Sequence, residues 1–223
     1  MLQMGDHVEL AGELTRAAVA VSGRGIKGVV GELRGSEAAV QSLGFARSQF
    51  QLHEKEGLYG LSLAEMRAPQ LASKVRRAQM ADYETLLNFY TAYNIEALNE
   101  PDARLAREDA ARSLDGRYED ARRFVLDLDG EIVAASAFNA VSPPLVQIGG
   151  VWTPHPLRAR GYARACVAGS LAIASREGAD AAILFTGDEN TPAIRSYTSI
   201  GFRQIGGYFI GLLRDAVRLP AKH

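Results

Sequence analysis

The stretch Arg158-Ala159-Arg160-Gly161-Tyr162-Ala163 constrains this chain more than any other. It separates an apolar run, Leu145 to Thr153 closed by Pro154, from a helical pattern that runs from Tyr162 to about Gly178. A strand that passes into a helix through a basic turn containing glycine leaves the first N–H groups of that helix exposed. Those groups and the helix dipole can hold a pyrophosphate. Gly161 lets the backbone approach closely, and Ala163 is small enough not to block it. Arg158 and Arg160 add positive charge next to the anion. The same six residues also describe an ordinary strand-to-helix turn with surface arginines, so the flanking sequence has to decide.

The flanking sequence divides near residues 67–75, where Ala68-Pro69-Gln70-Leu71-Ala72-Ser73 breaks any regular pattern. Two unequal units are expected, 1–70 and 71–223. In the second, Lys74–Ala78 reads as a short strand and Asp82 as the cap of a helix carrying Leu86, Leu87, Phe89, Tyr90, Tyr93 and Leu98. Residues 103–114 form a charge-rich amphipathic helix. Arg122–Leu128 and Glu131–Phe138, joined by Asp129-Gly130, are a hairpin. The strand ending at Thr153, the glycine turn and the helix 162–177 follow. Ala181–Thr186 is a buried strand. Thr191–Ser199 is a helix that tolerates Pro192 in its first turn and stops at Gly201, and Phe202–Leu213 is a last strand region.

The turn resembles the acyl-CoA-binding motif of the GNAT superfamily of N-acyltransferases, Arg/Gln-x-x-Gly-x-Gly/Ala. The order of elements over residues 74–213 resembles that fold element by element. The resemblance implies an α/β (α+β) fold, with a mixed, mostly antiparallel sheet flanked by helices and a smaller N-terminal α/β unit. An internal echo suggests what that unit is. Ala39–Phe45 reads like Ser196–Phe202, with strand-like Gly28–Gly31 ahead of it, as Ile183–Thr186 is in the second unit. Gln49–His53 and Leu58–Leu63 read as two further strands. The N-terminal unit is therefore expected to be a degenerate half of such a domain, in a tandem arrangement; Val40 stands where Tyr197 stands in the second unit. A strand from it, Leu58–Leu63, is expected to complete the catalytic sheet.

By resemblance, acetyl-CoA is the co-substrate. Gly149 and Gly150 suggest a bulge or close backbone approach in the strand before the turn. In relatives this strand splays from its neighbour and pairs with pantetheine, which assigns the contacts to Val151, Trp152 and Thr153; Val151 and Trp152 equally suit plain packing. Arg158, Ala159, Arg160, Gly161, Tyr162 and Ala163 are expected to bind the diphosphate. Arg164 is either a ribose-phosphate contact or a solvated helix charge. Asn190 resembles the residue that contacts pantetheine, and it equally suits an N-cap. Tyr197 resembles the tyrosine that faces the sulfur and donates a proton to the departing thiolate; otherwise it packs beside Ile194 and Ile200. Acyl passes directly to the amine, so no Ser, Cys or His nucleophile is required, and Cys166 is read as a packing residue. A backbone N–H on the strand can stabilise the oxyanion. Where many relatives carry a glutamate base on this strand, Gln147 stands here. Glu96 and Glu100 are candidates by position, and His155 reads as a loop residue.

Bulk properties bound the rest. A net charge of −1 over 223 residues gives no field that argues for nucleic acid. The single cysteine forbids an internal disulfide and fits a cytoplasmic home. Nothing reads as a signal peptide, and no apolar stretch nears the roughly 20 residues of a membrane span. No metal is expected. The acceptor is a small-molecule or peptide amine, lined by the first helix pair and residues 139–145, with Tyr90, Tyr93, Phe138 and Trp152 hinting at an aromatic pocket; a homodimer is compatible with all of this. The alternative function is a non-catalytic acyl-CoA-binding or regulatory module. A dinucleotide-binding enzyme is excluded, because the turn follows an antiparallel meander and no G-x-G-x-x-G is present.

Overall fold

The computed structural model describes residues 8–98, 100–115 and 122–218. In chain order they form α1 (Val8–Ser22), β1 (Ile26–Glu32), α2 (Leu33–Leu43), β2 (Phe50–Ser62), β3 (Val75–Arg77), α3 (Tyr83–Ala97), α4 (Ala103–Asp115), β4 (Arg123–Leu128), β5 (Glu131–Ser142), β6 (Leu145–Trp152), α5 (Tyr162–Arg176), β7 (Ala181–Thr186), α6 (Thr191–Ile200) and β8 (Arg203–Val217). The fold is mixed α/β with mostly antiparallel strand pairs. The chain gathers into two compact units, one of Met1–Tyr59, Phe185–Asn190 and Gln204–His223, the other of Gly60–Leu184 and Thr191–Arg203. The sequence suggests a single cut after residue 70; these units interleave, because two late segments fold with the N-terminal residues.

In the second unit the strands run in the order β2-β7-β6-β5-β4-β3, with β2 contributing only Gly60–Ser62. The chain leaving β2 is fastened by Leu63 N–H donating to Asp180 O at 2.8 Å and Arg67 N–H to Ile200 O at 3.0 Å. The β4–β5 hairpin turns at Asp129 and Gly130, with φ of 55° and 92°, as a two-residue primed turn demands. β4 is buried on both faces. Val125 lies with Leu86, Leu87, Tyr90, Ala110 and Leu114 under α3 and α4. Leu126 lies with Val133, Ala134, Ala165 and Cys166 under α5.

Helix α5 is buried from Ala165 through Leu171. Its small side chains let it lie close to its neighbours: a Cβ at Gly169 would collide with the Val75 side chain and lie 2.6 Å from the Ala72 carbonyl oxygen. Asp82 precedes α3 as expected, but its carboxylate does not cap the helix. It accepts from Arg76 Nη1 at 2.7 Å, Arg76 Nη2 at 3.0 Å and the Gln79 N–H at 2.7 Å. Arg76 holds the Asp82 carboxyl below the usual carboxylate range. Arg76 Nε also donates to Asp127 at 2.9 Å, so one guanidinium ties β3, β4 and the start of α3 together.

In the first unit the order is β1-β8-β2. β1 and β8 are antiparallel, from Glu32 opposite Tyr208 to Gly28 opposite Leu212. Phe50, His53 and Phe209 meet edge to face, and Phe185 stacks flat on Tyr208 with centroids 4.1 Å apart. α1 closes on α2 at Gly12, whose carbonyl accepts from Ser42 Oγ at 2.9 Å. Two expectations are corrected here. The strands read at 49–53 and 58–63 are one 13-residue strand, β2, and the last strand region continues unbroken to Val217.

The two segments compared in the sequence end their helices in the same way. Gly44 has φ +72°, with Gly44 N–H to Gln41 O at 3.1 Å and Phe45 N–H to Val40 O at 3.2 Å. Gly201 has φ +116°, with Gly201 N–H to Thr198 O at 3.1 Å and Phe202 N–H to Tyr197 O at 3.2 Å. Both are left-handed helix stops of the same pattern.

Deleting residues 1–70 would strip β8 of β1 and β2 and expose a 15-residue strand edge. The 71–223 fragment is expected to be insoluble in a sedimentation assay; a soluble, monodisperse fragment would refute this.

Candidate active site

The site is built where β6 parts from its parallel neighbour. The β6–β7 ladder covers Leu145 with Ala181, Val146 with Ala182 and Gln147 with Ile183, whereas β6 runs on to Trp152. On its other edge β6 is pinned to β5 through two irregularities. Between Ala135/Trp152 and Ala137/Gly149 the β6 side carries an extra residue, and between Phe138/Ile148 and Ala140/Gln147 the β5 side does. The two glycines explain both. Gly150 takes φ +57°, and a Cβ there would lie 3.1 Å from Tyr90 Cε1. A Cβ on Gly149 would collide with the Asn139 amide. The bulge suggested by Gly149-Gly150 is thus present, and it bends the end of β6 where Val151 is half-buried and Trp152 and Thr153 are buried.

The turn that follows alternates in handedness. Ala159 has φ 63° and Gly161 φ 79°, with Arg160 between them. Successive N–H groups in such a turn converge into a concave anion receptor. Gly161 is the N-cap of α5 and offers no side-chain cap, and the first helical bond runs from Ala165 N–H to Gly161 O at 3.1 Å. The N–H groups of Tyr162, Ala163 and Arg164 therefore point outward with no partner inside the helix. The Tyr162 side chain packs against the cluster of Leu126, Val133, Ala134, Ala165 and Cys166.

The arginines divide their roles. Arg158 turns to Glu96, with Nη1 to Oε1 at 2.7 Å and Nη2 to Oε2 at 2.9 Å, while Nε donates to Thr153 O at 3.0 Å. Arg160 is exposed and Nη2 reaches Pro156 O at 3.4 Å. Arg164 folds back, its Nε 3.0 Å from where a Cβ on Gly161 would sit, so the guanidinium beside the turn is Arg164.

An aromatic group lies along α3 and β6. Tyr93 meets Tyr90 and Trp152 edge to face, with centroids 6.4 and 6.1 Å away. Tyr197 on α6 is buried and packs edge to face on Phe202. Burial, with the Tyr93 phenol adding to it, pushes the Tyr197 phenol above the ordinary tyrosine range. Like an ordinary tyrosine it holds its proton at neutral pH, and burial leaves it a weaker acid but an intact hydrogen-bond donor.

The proposed bases fare differently. The Glu96 carboxyl is held below the usual range by Arg158, so it binds a proton poorly. Glu100 spends Oε1 on the Asp102 N–H at 3.0 Å. His155 lies in the short turn after Pro154. In the first unit, Glu56 is the carboxyl that burial raises, with Glu54 and Asp188 adding to it. Asn190 also belongs to the first unit, where its N–H closes a turn onto Gly187 O at 2.9 Å. Thr153 stands out: its Oγ1 is buried with no hydrogen-bond partner among the described residues. A sequence pattern offers no sign of that, or of the Tyr93–Tyr197 proximity, because both depend on packing between distant segments.

The model of the Acetyltransferase (GNAT) family matches residues 83–202, more than half of the chain, and the chain belongs to that family. No curated protein sequence matches it. Among solved structures, an acetyltransferase of the GNAT family from Colwellia psychrerythraea is 14% identical, with 92% of this chain and 71% of that one covered at a TM-score of 0.57. A putative GNAT acetyltransferase from Novosphingobium aromaticivorans is 18% identical, covering 75% and 67% at a TM-score of 0.54. A ribosomal-protein-alanine N-acetyltransferase from Brucella melitensis is 19% identical, covering 62% and 98% at a TM-score of 0.50. At these identities the likeness is one of fold. Family and fold together support an N-acetyltransferase-type enzyme that uses an acyl-CoA co-substrate. Among the described residues no acidic, histidine or cysteine cluster is placed to hold a metal, and no helix is long and apolar enough to cross a membrane.

Cys166 is fully buried 3.6 Å from Ser136 Oγ, and burial pushes its thiol up to about 12. Under native conditions at pH 8 it is expected to resist a thiol-reactive chromogen and to react fully once unfolded. Rapid native labelling would contradict the packing role.

Proposed function

We propose that this protein transfers an acetyl group from acetyl-CoA to a primary amine of a small molecule or peptide by direct attack. One observation carries the reading: the alternating turn at Ala159–Gly161 opens an uncapped helix just beyond a strand that has left its parallel neighbour. The outward N–H groups and the Arg164 guanidinium suit a diphosphate. The unsatisfied Thr153 hydroxyl supports a polar ligand arm beside the end of β6, since an unmade hydrogen bond there costs about 1–3 kcal/mol. Val151, Trp152 and Thr153 would line that arm.

The co-substrate supplies an acetyl thioester and a thiol leaving group. The amine nitrogen bonds to the carbonyl carbon, the carbon–sulfur bond breaks, and the amine proton passes to water. Tyr197 hydrogen-bonds the departing sulfur and gives it a proton, taking one back from water, so that the proton lost by the amine and the one gained by the thiol balance. Backbone N–H groups at the bent end of β6 are the donors available to a developing oxyanion.

Gly161→Val places a β-branched residue at φ 79°. It is expected to abolish coenzyme A binding by isothermal titration while the protein still melts cooperatively. Tyr197→Phe is expected to lower turnover about 10- to 100-fold, with coenzyme A affinity nearly unchanged. Thiol release from acetyl-CoA over an amine panel reads the turnover. Full activity in Tyr197→Phe overturns the acid assignment, and binding without thiol release on any amine favours a non-catalytic module.

A further inference from the structure

We propose that Arg158 is a positioning residue: locked by Glu96, its side chain holds the Arg158–Gly161 turn in its anion-receiving shape and does not itself take up phosphate. The inference rests on the co-substrate reading above and assigns Arg158 a part different from the one its place in the motif suggests.

Three of the guanidinium's donors are committed: Nε to the Thr153 carbonyl at 3.0 Å, and Nη1 and Nη2 to the two Glu96 oxygens at 2.7 and 2.9 Å. Its face lies over Trp152, 4.7 Å from the ring centroid. The paired fork neutralises the charge, and the stack fixes the plane. All three of its nitrogens are engaged, and moving the group onto a phosphate would break the fork with Glu96 and the stack on Trp152. Two other guanidiniums lie closer to that task, Arg164 beside Gly161 and the exposed Arg160.

What the clamp holds is visible in the next residue. Ala159 takes φ 63°, a conformation that a residue with a Cβ keeps only where its neighbours impose it. Arg158 is the neighbour fixed from both sides, by its side chain to Thr153 and Glu96 and by its own N–H to His155 O at 3.3 Å. The same clamp ties the turn to α3, which carries Tyr93 one turn before Glu96.

The two roles predict opposite signs for one substitution. If Arg158 bound phosphate directly, Glu96→Gln would free the guanidinium, remove a competing anion and tighten coenzyme A binding. A clamp instead loosens when Glu96 loses its charge, and binding weakens. Isothermal titration of the full chain with coenzyme A is expected to show about a fivefold weaker Kd in Glu96→Gln. Arg158→Lys is expected to weaken coenzyme A binding to a similar extent, because an ammonium lacks the fork and the stacking plane. The chain holds a single tryptophan, so emission excited beyond tyrosine absorption comes from Trp152 alone. Without coenzyme A, acrylamide is expected to quench Trp152 more readily in Glu96→Gln and Arg158→Lys than in the wild type. Equal or tighter coenzyme A binding by Glu96→Gln, or unchanged quenching in both variants, overturns the inference. A wild-type protein that does not bind coenzyme A overturns the co-substrate reading, and this inference falls with it.

Discussion

A backbone N–H that its own helix cannot satisfy must find a partner elsewhere, and the start of α5 presents several of them together. Burial would make them costly, so the chain keeps them at the surface of the second unit and leaves them without a side-chain cap. The neighbouring construction gives that edge its shape. Gly169 lets α5 sit close against residues 72–75, which fixes the helix. The Gly149-Gly150 bulges bend β6, and the left-handed residues Ala159 and Gly161 turn the chain from strand to helix in a few residues. Each of these is a backbone device, and the side chains around them mainly hold the devices still.

Arg76 and Arg158 show two versions of that holding. Arg76 sits between Asp82 and Asp127, with Asp82 almost wholly buried, and fixes the beginning of α3 to β3 and β4. Arg158 fixes a later turn of the same helix to the end of β6. The helix that carries Tyr90 and Tyr93 is therefore anchored near both ends by guanidinium forks. Its aromatic side chains meet β6 at Gly150 and Trp152, where a small displacement would alter the geometry of the site.

Much of this was legible in the residue pattern, and the exceptions have physical causes. The helices and strands from Val75 onward follow their hydrophobic period, and Asp129-Gly130, Gly161 and Gly201 fall where positive φ is needed. β2 misleads because its middle, Glu54-Lys55-Glu56-Gly57, is charged and ends in glycine, so only the two apolar ends read as strands. In the structure Gly57 marks a close approach, since a Cβ there would lie 2.8 Å from the Tyr59 ring. α1 leaves no clear face in the sequence, with Leu10, Leu14 and Val21 all exposed. From its position alone the motif arginine reads as a phosphate ligand; its carboxylate partner lies 62 residues away in the chain, a pairing that only the tertiary fold creates. Asp82 likewise begins a helix as its place implies, while its carboxylate serves Arg76.

The central claim is that main-chain donors at the start of α5 grip the co-substrate's diphosphate. Amide resonances of isotopically labelled protein test it most directly. On titration with coenzyme A, the Gly161, Tyr162, Ala163 and Arg164 N–H signals are expected to move downfield together, as amides do when they donate to an anion. If coenzyme A shifts other amides and leaves these four where they were, the account is wrong.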